Sequence, residues 1–266
     1  MFVQPYQWNA IDYAKSSNIQ QQWARELIAK LNLKGDEKLL DIGSGDGKVT
    51  AEIASYLSNG SVVGIDNSET MIALAQSKYA VVDFPNLRFQ QGDASRLKFE
   101  NEFDVVFSNA TLHWILNQSP ILEGIYKSLK FNGKILLQLG GRGNASDVLA
   151  VFDRLIKKHE WHSFFQGFTF PYGFYGAEEY RQCVCEAGFQ EIRIELIPKD
   201  AIHKDRFAFE GWIRTTWLPY TQRLPEEKRD TFIAQIADDY LQQYSVDENG
   251  SVHVNMMRLE VEAVKR

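Results

Sequence analysis

Leu39-Leu40-Asp41-Ile42-Gly43-Ser44-Gly45-Asp46-Gly47 is the stretch that decides the architecture of this chain. Its short apolar run predicts a strand, its alternate glycines a tight turn, and the residues after Gly47 a helix. Glycines at such a turn permit positive φ and let a ligand come close to the backbone. A dinucleotide loop, G-x-G-x-x-G, would need its third glycine at position 48, where Lys48 stands. Here Gly47 arrives one residue early. Asp41 is the sharper sign, because a carboxylate at the strand end opposes a pyrophosphate. It suits a ligand that carries an ammonium and a sulfonium.

The strand–helix alternation continues on both sides of this loop. Upstream, Ile19, Trp23, Leu27, Ile28 and Leu31 recur at helical spacing within an N-terminal helix spanning 10–33. Gly35-Asp36 separates it from the strand at 38–42. Downstream come a helix from 47 to about 57, a strand at 62–65, a helix at 68–80 and strands at 87–91 and 103–108. A helix at 120–130 and a strand at 134–139 complete the series. Apolar strands separated by helices imply an α/β fold, a doubly wound, mostly parallel sheet covered on both faces. Ligands in such sheets bind at the carboxyl ends of the strands, near the switch point.

After Gly143 the pattern changes. Residues 145–180 read as helical and aromatic-rich (Phe152, Trp161, Phe164, Phe165, Phe168, Phe170, Tyr172, Phe174, Tyr175). A strand at 191–197, a second helical stretch at about 199–247 and a final strand at 252–264 follow. The expected organisation is one domain. Its core sheet covers about 36–143 with 188–198 and 251–265, and a helical cap is built from insertions at about 144–187 and 199–247.

Composition narrows the function classes. The 266 residues carry 29 basic and 35 acidic side chains, a formal charge of −6 with the signs interspersed. No basic block is present to neutralise nucleic-acid phosphates. The start, Met1-Phe-Val-Gln-Pro-Tyr6, has no secretory pattern, and no apolar stretch reaches the roughly 20 residues of a membrane helix. The expectation is a cytoplasmic protein without a membrane span. Cys183 and Cys185 lie one residue apart in a helical pattern and point to different faces, which predicts neither a disulfide nor a metal site.

Two further acids stand at strand ends. Asp66, in Val62-Val-Gly-Ile-Asp66, lies 25 positions after Asp41, where a carboxylate can accept two ribose hydroxyls. Asp93, in Gln91-Gly-Asp93-Ala94, can take an exocyclic adenine amine while a backbone N–H meets a ring nitrogen. Any one of these acids alone reads equally as a helix N-cap. Three at successive strand ends, beside the glycine loop, argue for a nucleoside ligand.

With these residues in place the chain resembles the class I S-adenosylmethionine (SAM)-dependent methyltransferases. Asp41-Ile-Gly43-Ser-Gly45-Asp-Gly47 is similar to their first motif, Gly64-Ile-Asp66-Asn-Ser68 to the second and Gly92-Asp93 to the third. The resemblance implies a seven-stranded Rossmann-like sheet with an antiparallel last strand, SAM as methyl donor and S-adenosylhomocysteine (SAH) as product. It also implies a cofactor site of Asp41, Gly43, Ser44, Gly45, Asp66, Asn67, Met71, Asp93, Ala94 and Asn109, with no metal.

The acceptor is read at the end of the fourth strand. Enzymes of this class that methylate nucleic-acid amines carry Asn or Asp, then Pro-Pro and an aromatic residue, and Asn109-Ala110-Thr111-Leu112 does not match. The segment Ser108-Asn-Ala-Thr-Leu-His113-Trp114-Ile-Leu-Asn117 instead resembles the trans-aconitate, juvenile-hormone-acid and malonyl-carrier-protein carboxylate O-methyltransferases. Tyr13-Ala-Lys-Ser-Ser-Asn-Ile-Gln20 is similar to the juvenile-hormone-acid group. That likeness gives Gln20 and Trp114 the role of holding a substrate carboxylate, with His113 as a third donor, or as a base were a phenol the acceptor. The aromatic residues of the cap favour a small carboxylic acid with an apolar portion, unless they only pack on one another. Arg142, Arg181, Arg206 and Arg214 are too scattered to predict a tricarboxylate. Methylation of carbon or phenolic oxygen, and SAM binding without catalysis, are the competing readings; Lys48 and Asp41 disfavour an NAD-dependent oxidoreductase.

Overall fold

The computed structural model describes residues 6–10, 12 and 18–266, with side chains on the first complete helix from Gln21 onward. That helix, α1 (Asn18–Leu31), ends where Asn32 takes a left-handed φ of 47°. Strand β1 (Lys38–Ile42) leads through the glycine loop into α2 (Lys48–Ser55). Then come β2 (Ser61–Asp66), α3 (Glu69–Lys78), β3 (Leu87–Gln91), β4 (Phe103–Asn109), α4 (Ser119–Ser128) and β5 (Leu129–Gly140). The second part carries α5 (Ser146–Leu155), α6 (His159–His162), α7 (Ala177–Glu186), β6 (Phe189–His203), α8 (Arg206–Thr216), α9 (Leu218–Thr221), α10 (Glu226–Leu241) and β7 (Val252–Lys265).

The seven strands form one sheet in the order β3-β2-β1-β4-β5-β7-β6. Strands β1 to β5 pair in parallel, and β7 runs antiparallel to β5. The direction of winding reverses between β1 and β4, so their carboxyl ends open the crevice where ligands bind in such sheets. Period-two alternation buries both faces. Leu39, Val105 and Phe107 pack with Leu27, Leu31 and Ile53 on one side. Leu40, Ile42 and Val106 pack with Ile121, Ile125, Tyr180 and Val184 on the other. Asp41 shares the Leu39 side, which turns its carboxylate toward α2.

The chain divides into two compact units. The sheet unit comprises residues 20–142, 172–197 and 258–266; the other comprises the described residues before 20 with 143–171 and 198–257. The second unit has an aromatic core of its own. The rings of Phe152 and Tyr220 lie 4.3 Å apart, those of Trp161 and Phe232 5.0 Å, and those of Phe168 and Tyr220 4.7 Å. For these residues mutual packing is the observed role.

Three sequence expectations are corrected. The stretch 145–180 is not continuously helical: after the turn Ser163–Phe165 the chain is irregular until α7. Pro171 biases Phe170 away from helical backbone, and Gly167 takes a φ of 67°. Strand β6 continues to His203, six residues beyond the expected end, because Ala201 and His203 alternate inward past Pro198. Strand β5 starts at Leu129 rather than 134. Asn132-Gly133 looks like a turn, yet Asn132 (φ 64°) lies within the strand, where the β4–β5 register shifts. Cys183 and Cys185 are free thiols. Among the described residues no helix is long and apolar enough to cross a membrane.

Candidate active site

The loop after β1 is held by the end of β2. The N–H groups of Gly43 and Ser44 both donate to the Ile65 carbonyl, at 2.8 and 2.9 Å. Gly45 N–H donates to Asp66 Oδ2 at 3.0 Å, and Ser68 N–H to Oδ1 at 2.9 Å. Asp66 therefore ties the two strand ends together, and each of its oxygens keeps acceptor capacity. Burial raises its pKa against these backbone donors. Two glycines have steric reasons. A Cβ on Gly43 (φ 80°) would lie 2.0 Å from Thr111 Oγ1, and one on Gly47 (φ 82°) 2.6 Å from Phe89 Cζ. The early third glycine thus lets β3 pack against the start of α2.

Asp41 is buried and accepts a hydrogen bond from Thr50 Oγ1 at 2.7 Å. Desolvation pushes its pKa up to about 7; the Thr50 bond opposes that rise and the Asp66 charge adds to it. Among the described residues Ser44 Oγ is buried with no hydrogen-bond partner. Asp46 is also buried, but Lys78 Nζ reaches it at 3.1 Å and Lys48 Nζ at 3.9 Å, so its charge serves the loop. Met71 is buried on α3, which Ser68 caps, and the exposed Asn67 lies between Asp66 and that cap. Asp93 accepts Ser95 N–H at 2.8 Å and caps the turn Ala94–Arg96, with Ala94 buried behind it. The capping role read as an alternative for such acids is realised here; the other oxygen lies 3.9 Å from Arg96 Nε, and the side chain is exposed.

Strand β4 ends on a strained turn. Ala110 takes φ 56°, and its N–H donates to the Gln138 carbonyl at 2.8 Å. Thr111 Oγ1 lies 3.2 Å from the Asn109 carbonyl and 3.4 Å from that of Gly43, joining this turn to the glycine loop. His113 follows, buried in the turn Leu112–Trp114. Gly140 N–H donates to His113 Nδ1 at 3.3 Å. An N–H can only donate, so Nδ1 offers its lone pair and the neutral ring carries its proton on Nε2. Burial holds the His113 pKa well below the usual histidine range, and Arg258 lowers it further. The ring packs against Trp114, Tyr172 and Phe174 at 5.8–6.1 Å between centroids, and Gly173 N–H donates to the His113 carbonyl at 2.8 Å.

The structure thus gathers Asp41, Gly43, Ser44, Gly45 and Asp66 at the β1 and β2 ends, joined through Thr111 to the Asn109–Trp114 segment. Gln20 lies in the first turn of α1, but its side chain and residues 13–17 fall outside the described residues. Sequence reasoning missed Ala110, Thr111 and Arg258, and read Tyr172 and Phe174 as helical cap. Arg258 left one trace: it interrupts an apolar strand pattern. Carboxylates engage all four arginines considered for a tricarboxylate: Glu179 for Arg142, Glu178 and Glu191 for Arg181, Glu210 and Asp238 for Arg206, and Asp12 for Arg214. Among the described residues no group of His, Cys, Asp or Glu is arranged to hold a metal ion.

Comparison with known proteins agrees with this geometry. The chain is 27% identical over 255 residues to a trans-aconitate 2-methyltransferase of Enterobacter sp. (strain 638), covering 95% of this chain and 96% of that protein. It is 30% identical over 149 residues to a malonyl-[acyl-carrier protein] O-methyltransferase of Bacillus cereus, covering 54% of each. The YcgJ protein of Bacillus subtilis has a similar fold, with a TM-score of 0.62 at 18% identity, over 92% of this chain and 98% of that one. The methyltransferase domain family matches residues 33–168, just over half of the chain, and to that family, as a class I SAM-dependent methyltransferase, this chain belongs.

Proposed function

We propose that the enzyme methylates a carboxylate oxygen of a small organic acid with an apolar portion, forming a methyl ester and SAH. The strand-end residues fit the donor. The buried Asp41 carboxylate and the unpartnered Ser44 hydroxyl, with Gly43 and Gly45, would face its amino-acid part. Asp66 would accept the ribose hydroxyls, and Asn67, Met71, Asp93 and Ala94 would border the adenine, with Asn109 at the methyl end. As co-substrate SAM supplies a methyl on a sulfonium: the acceptor oxygen forms the new C–O bond, the C–S electron pair returns to sulfur, and no proton moves.

The observation that carries the acceptor class is the Gly140–His113 bond. It leaves His113 a donor through Nε2–H and removes it as a base. A phenol, with a pKa of about 10, would need such a base, whereas a carboxylic acid is ionised at neutral pH. Gln20, Trp114 and His113 would then orient one carboxylate oxygen. Positioning of this kind is worth up to about 7–11 kcal/mol in ideal cases. The rings of Trp114, Tyr172 and Phe174 give the same segment an apolar side, which suits an acid with an apolar portion. The likeness to the trans-aconitate enzyme supports a carboxyl acceptor.

The test is a mass-spectrometric screen for methyl gain with SAM and a panel of carboxylic acids, phenols and amines. Base-labile methyl esters are expected, and they should vanish in the double variant Gln20→Ala/Trp114→Ala. Turnover of acids by that variant at the original rate would remove the assigned roles; methylated phenols without esters would overturn the acceptor class.

A further inference from the structure

We infer that Gln118 is a positioning residue for methyl transfer: its buried amide grips the main chain on both sides of the His113–Trp114 pair, and the Tyr180 hydroxyl keeps that amide correctly turned. The inference rests on the reading of His113 and Trp114 as the acceptor end of the site.

Gln118 stands immediately before α4, and its carbonyl accepts Leu122 N–H at 3.0 Å in the first turn of that helix. Its side chain folds back onto the turn that follows β4. Nε2 donates to the Leu112 carbonyl at 3.0 Å and also to the Ile115 carbonyl. The amide therefore spans the two residues between them, His113 and Trp114. Oε1 accepts the Tyr180 hydroxyl of α7 at 3.0 Å. Gln118 and Tyr180 are both buried, and Tyr180 belongs to the same apolar cluster as Ile121, Ile125 and Val184.

The donor count permits one orientation. A primary amide has two N–H bonds and one carbonyl oxygen. Both N–H bonds go to main-chain carbonyls, which can only accept. Turning the amide over would set Oε1 against those two oxygens, out of reach of water. Burial raises the Tyr180 pKa, so the phenol remains a hydroxyl and supplies the hydrogen that Oε1 needs. The other side of the turn is tied to the strap after Pro171: Gly173 N–H donates to the His113 carbonyl at 2.8 Å and Tyr175 O–H to the Leu116 carbonyl at 2.6 Å. Gln118 fastens the same turn to α4 and α7. With carbonyls 112, 113, 115 and 116 all engaged, the His113 and Trp114 side chains are aimed from behind by a supporting layer. A displacement of about 1 Å can cost an in-line transfer about 100-fold. An amide that touches neither donor nor acceptor thus acts on the rate through the turn.

The test separates the rate of transfer from cofactor binding and from folding. Tyr180→Phe keeps the ring and removes the hydroxyl; Gln118→Met keeps the length and removes the amide. With SAM and octanoate or trans-aconitate as probe acceptors, kcat should fall by about 2–10-fold in Tyr180→Phe, the worth of one neutral hydrogen bond. In Gln118→Met it should fall by about 10–100-fold, and the calorimetric Kd for SAH should be unaltered in both variants. Because Tyr180 acts through Gln118, adding Tyr180→Phe to Gln118→Met should lower kcat no further. In the SAH complex the Trp114 indole 15N–1H signal, assigned by its loss in Trp114→Phe, should be single in the wild type and split or broadened in Tyr180→Phe. That readout needs no acceptor. Variants that lose only thermal stability, with kcat and the indole signal unaltered, would overturn the inference, as would additive losses of kcat. If Trp114→Ala slows transfer and Tyr180→Phe does not, the inference alone fails; if Trp114→Ala transfers at the original rate, the acceptor reading fails and the inference with it. Should Gln118→Met not fold, Tyr180→Phe still decides the question.

Discussion

Replacing Asp41 with asparagine should stabilise the ligand-free enzyme at alkaline pH and leave it nearly unchanged at acid pH. The carboxyl goes from an ordinary 3.8 to about 7 in the folded chain, because burial removes its water and, among the described residues, only Thr50 replaces it. A raised folded-state value means that the native state binds the proton more tightly than the unfolded chain does. The associated stability is therefore complete below about pH 3.8, falls as pH rises, and is lost above about 7. About three pH units at 1.36 kcal/mol each give about 4 kcal/mol as the ceiling. Part of that rise is the Asp66 charge and the site relaxes, so a gain of about 1–3 kcal/mol is expected at pH 8. For a chain of this size that is a rise in Tm of about 2–10 °C at pH 8, falling to roughly a third of that at pH 5 and to little change below about pH 4. The assay is thermal unfolding of both proteins from about pH 4 to 8.5, with calorimetric titration of SAM in two buffers of different ionisation enthalpy. Near pH 6.5 a cationic ligand should drive proton release from the wild type and none from Asp41→Asn, and the variant should bind SAM more weakly. A stability difference independent of pH, or equal proton release from both proteins, would refute the argument.

Two further outcomes concern the loop itself. Asp66→Ala should retain the fold but weaken SAM binding by about 10–150-fold in calorimetric titration, the worth of one charged hydrogen bond to a ribose hydroxyl; unaltered affinity would show that the ribose assignment is wrong. Gly43→Ala should lower the urea midpoint by the equivalent of about 2 kcal/mol or more, since a left-handed φ alone costs about 1–2 kcal/mol and the new Cβ would overlap Thr111; an unshifted midpoint would mean that the loop yields freely.

The proposed cofactor half of the site was legible because its determinants are local. Asp41, Gly43 and Gly45 lie within five residues, and Asp66 and Asp93 close the next two strands, so apolar runs followed by glycine or acid located each of them. The proposed acceptor half depends on contacts between distant positions. His113 meets Gly140 across 27 residues, and Arg258 pairs with Gly140 from the last strand. Nothing near position 113 tells whether its Nδ1 gives or takes a proton; that is settled by which N–H happens to lie opposite. Tyr172 and Phe174 were misplaced for a related reason. Aromatic spacing looks helical in isolation, whereas Pro171 and the Gly173–His113 bond draw this segment out as an extended strap along the turn that follows β4.

The turn at Ala110 joins the two halves physically. A non-glycine residue with φ 56° costs on the order of 1 kcal/mol, and it persists because its N–H is held by the Gln138 carbonyl. That conformation sends Thr111 back against Gly43, where the lack of a Cβ leaves room for it. The glycine loop and the His113 turn are consequently two sides of one packed contact. A shift in one must displace the other, and a methyl transfer that depends on in-line alignment is sensitive to shifts of about an ångström. Gly43 therefore has a role beyond ligand approach. It sets the distance between the strand end that would carry the donor and the strand end that would present the acceptor.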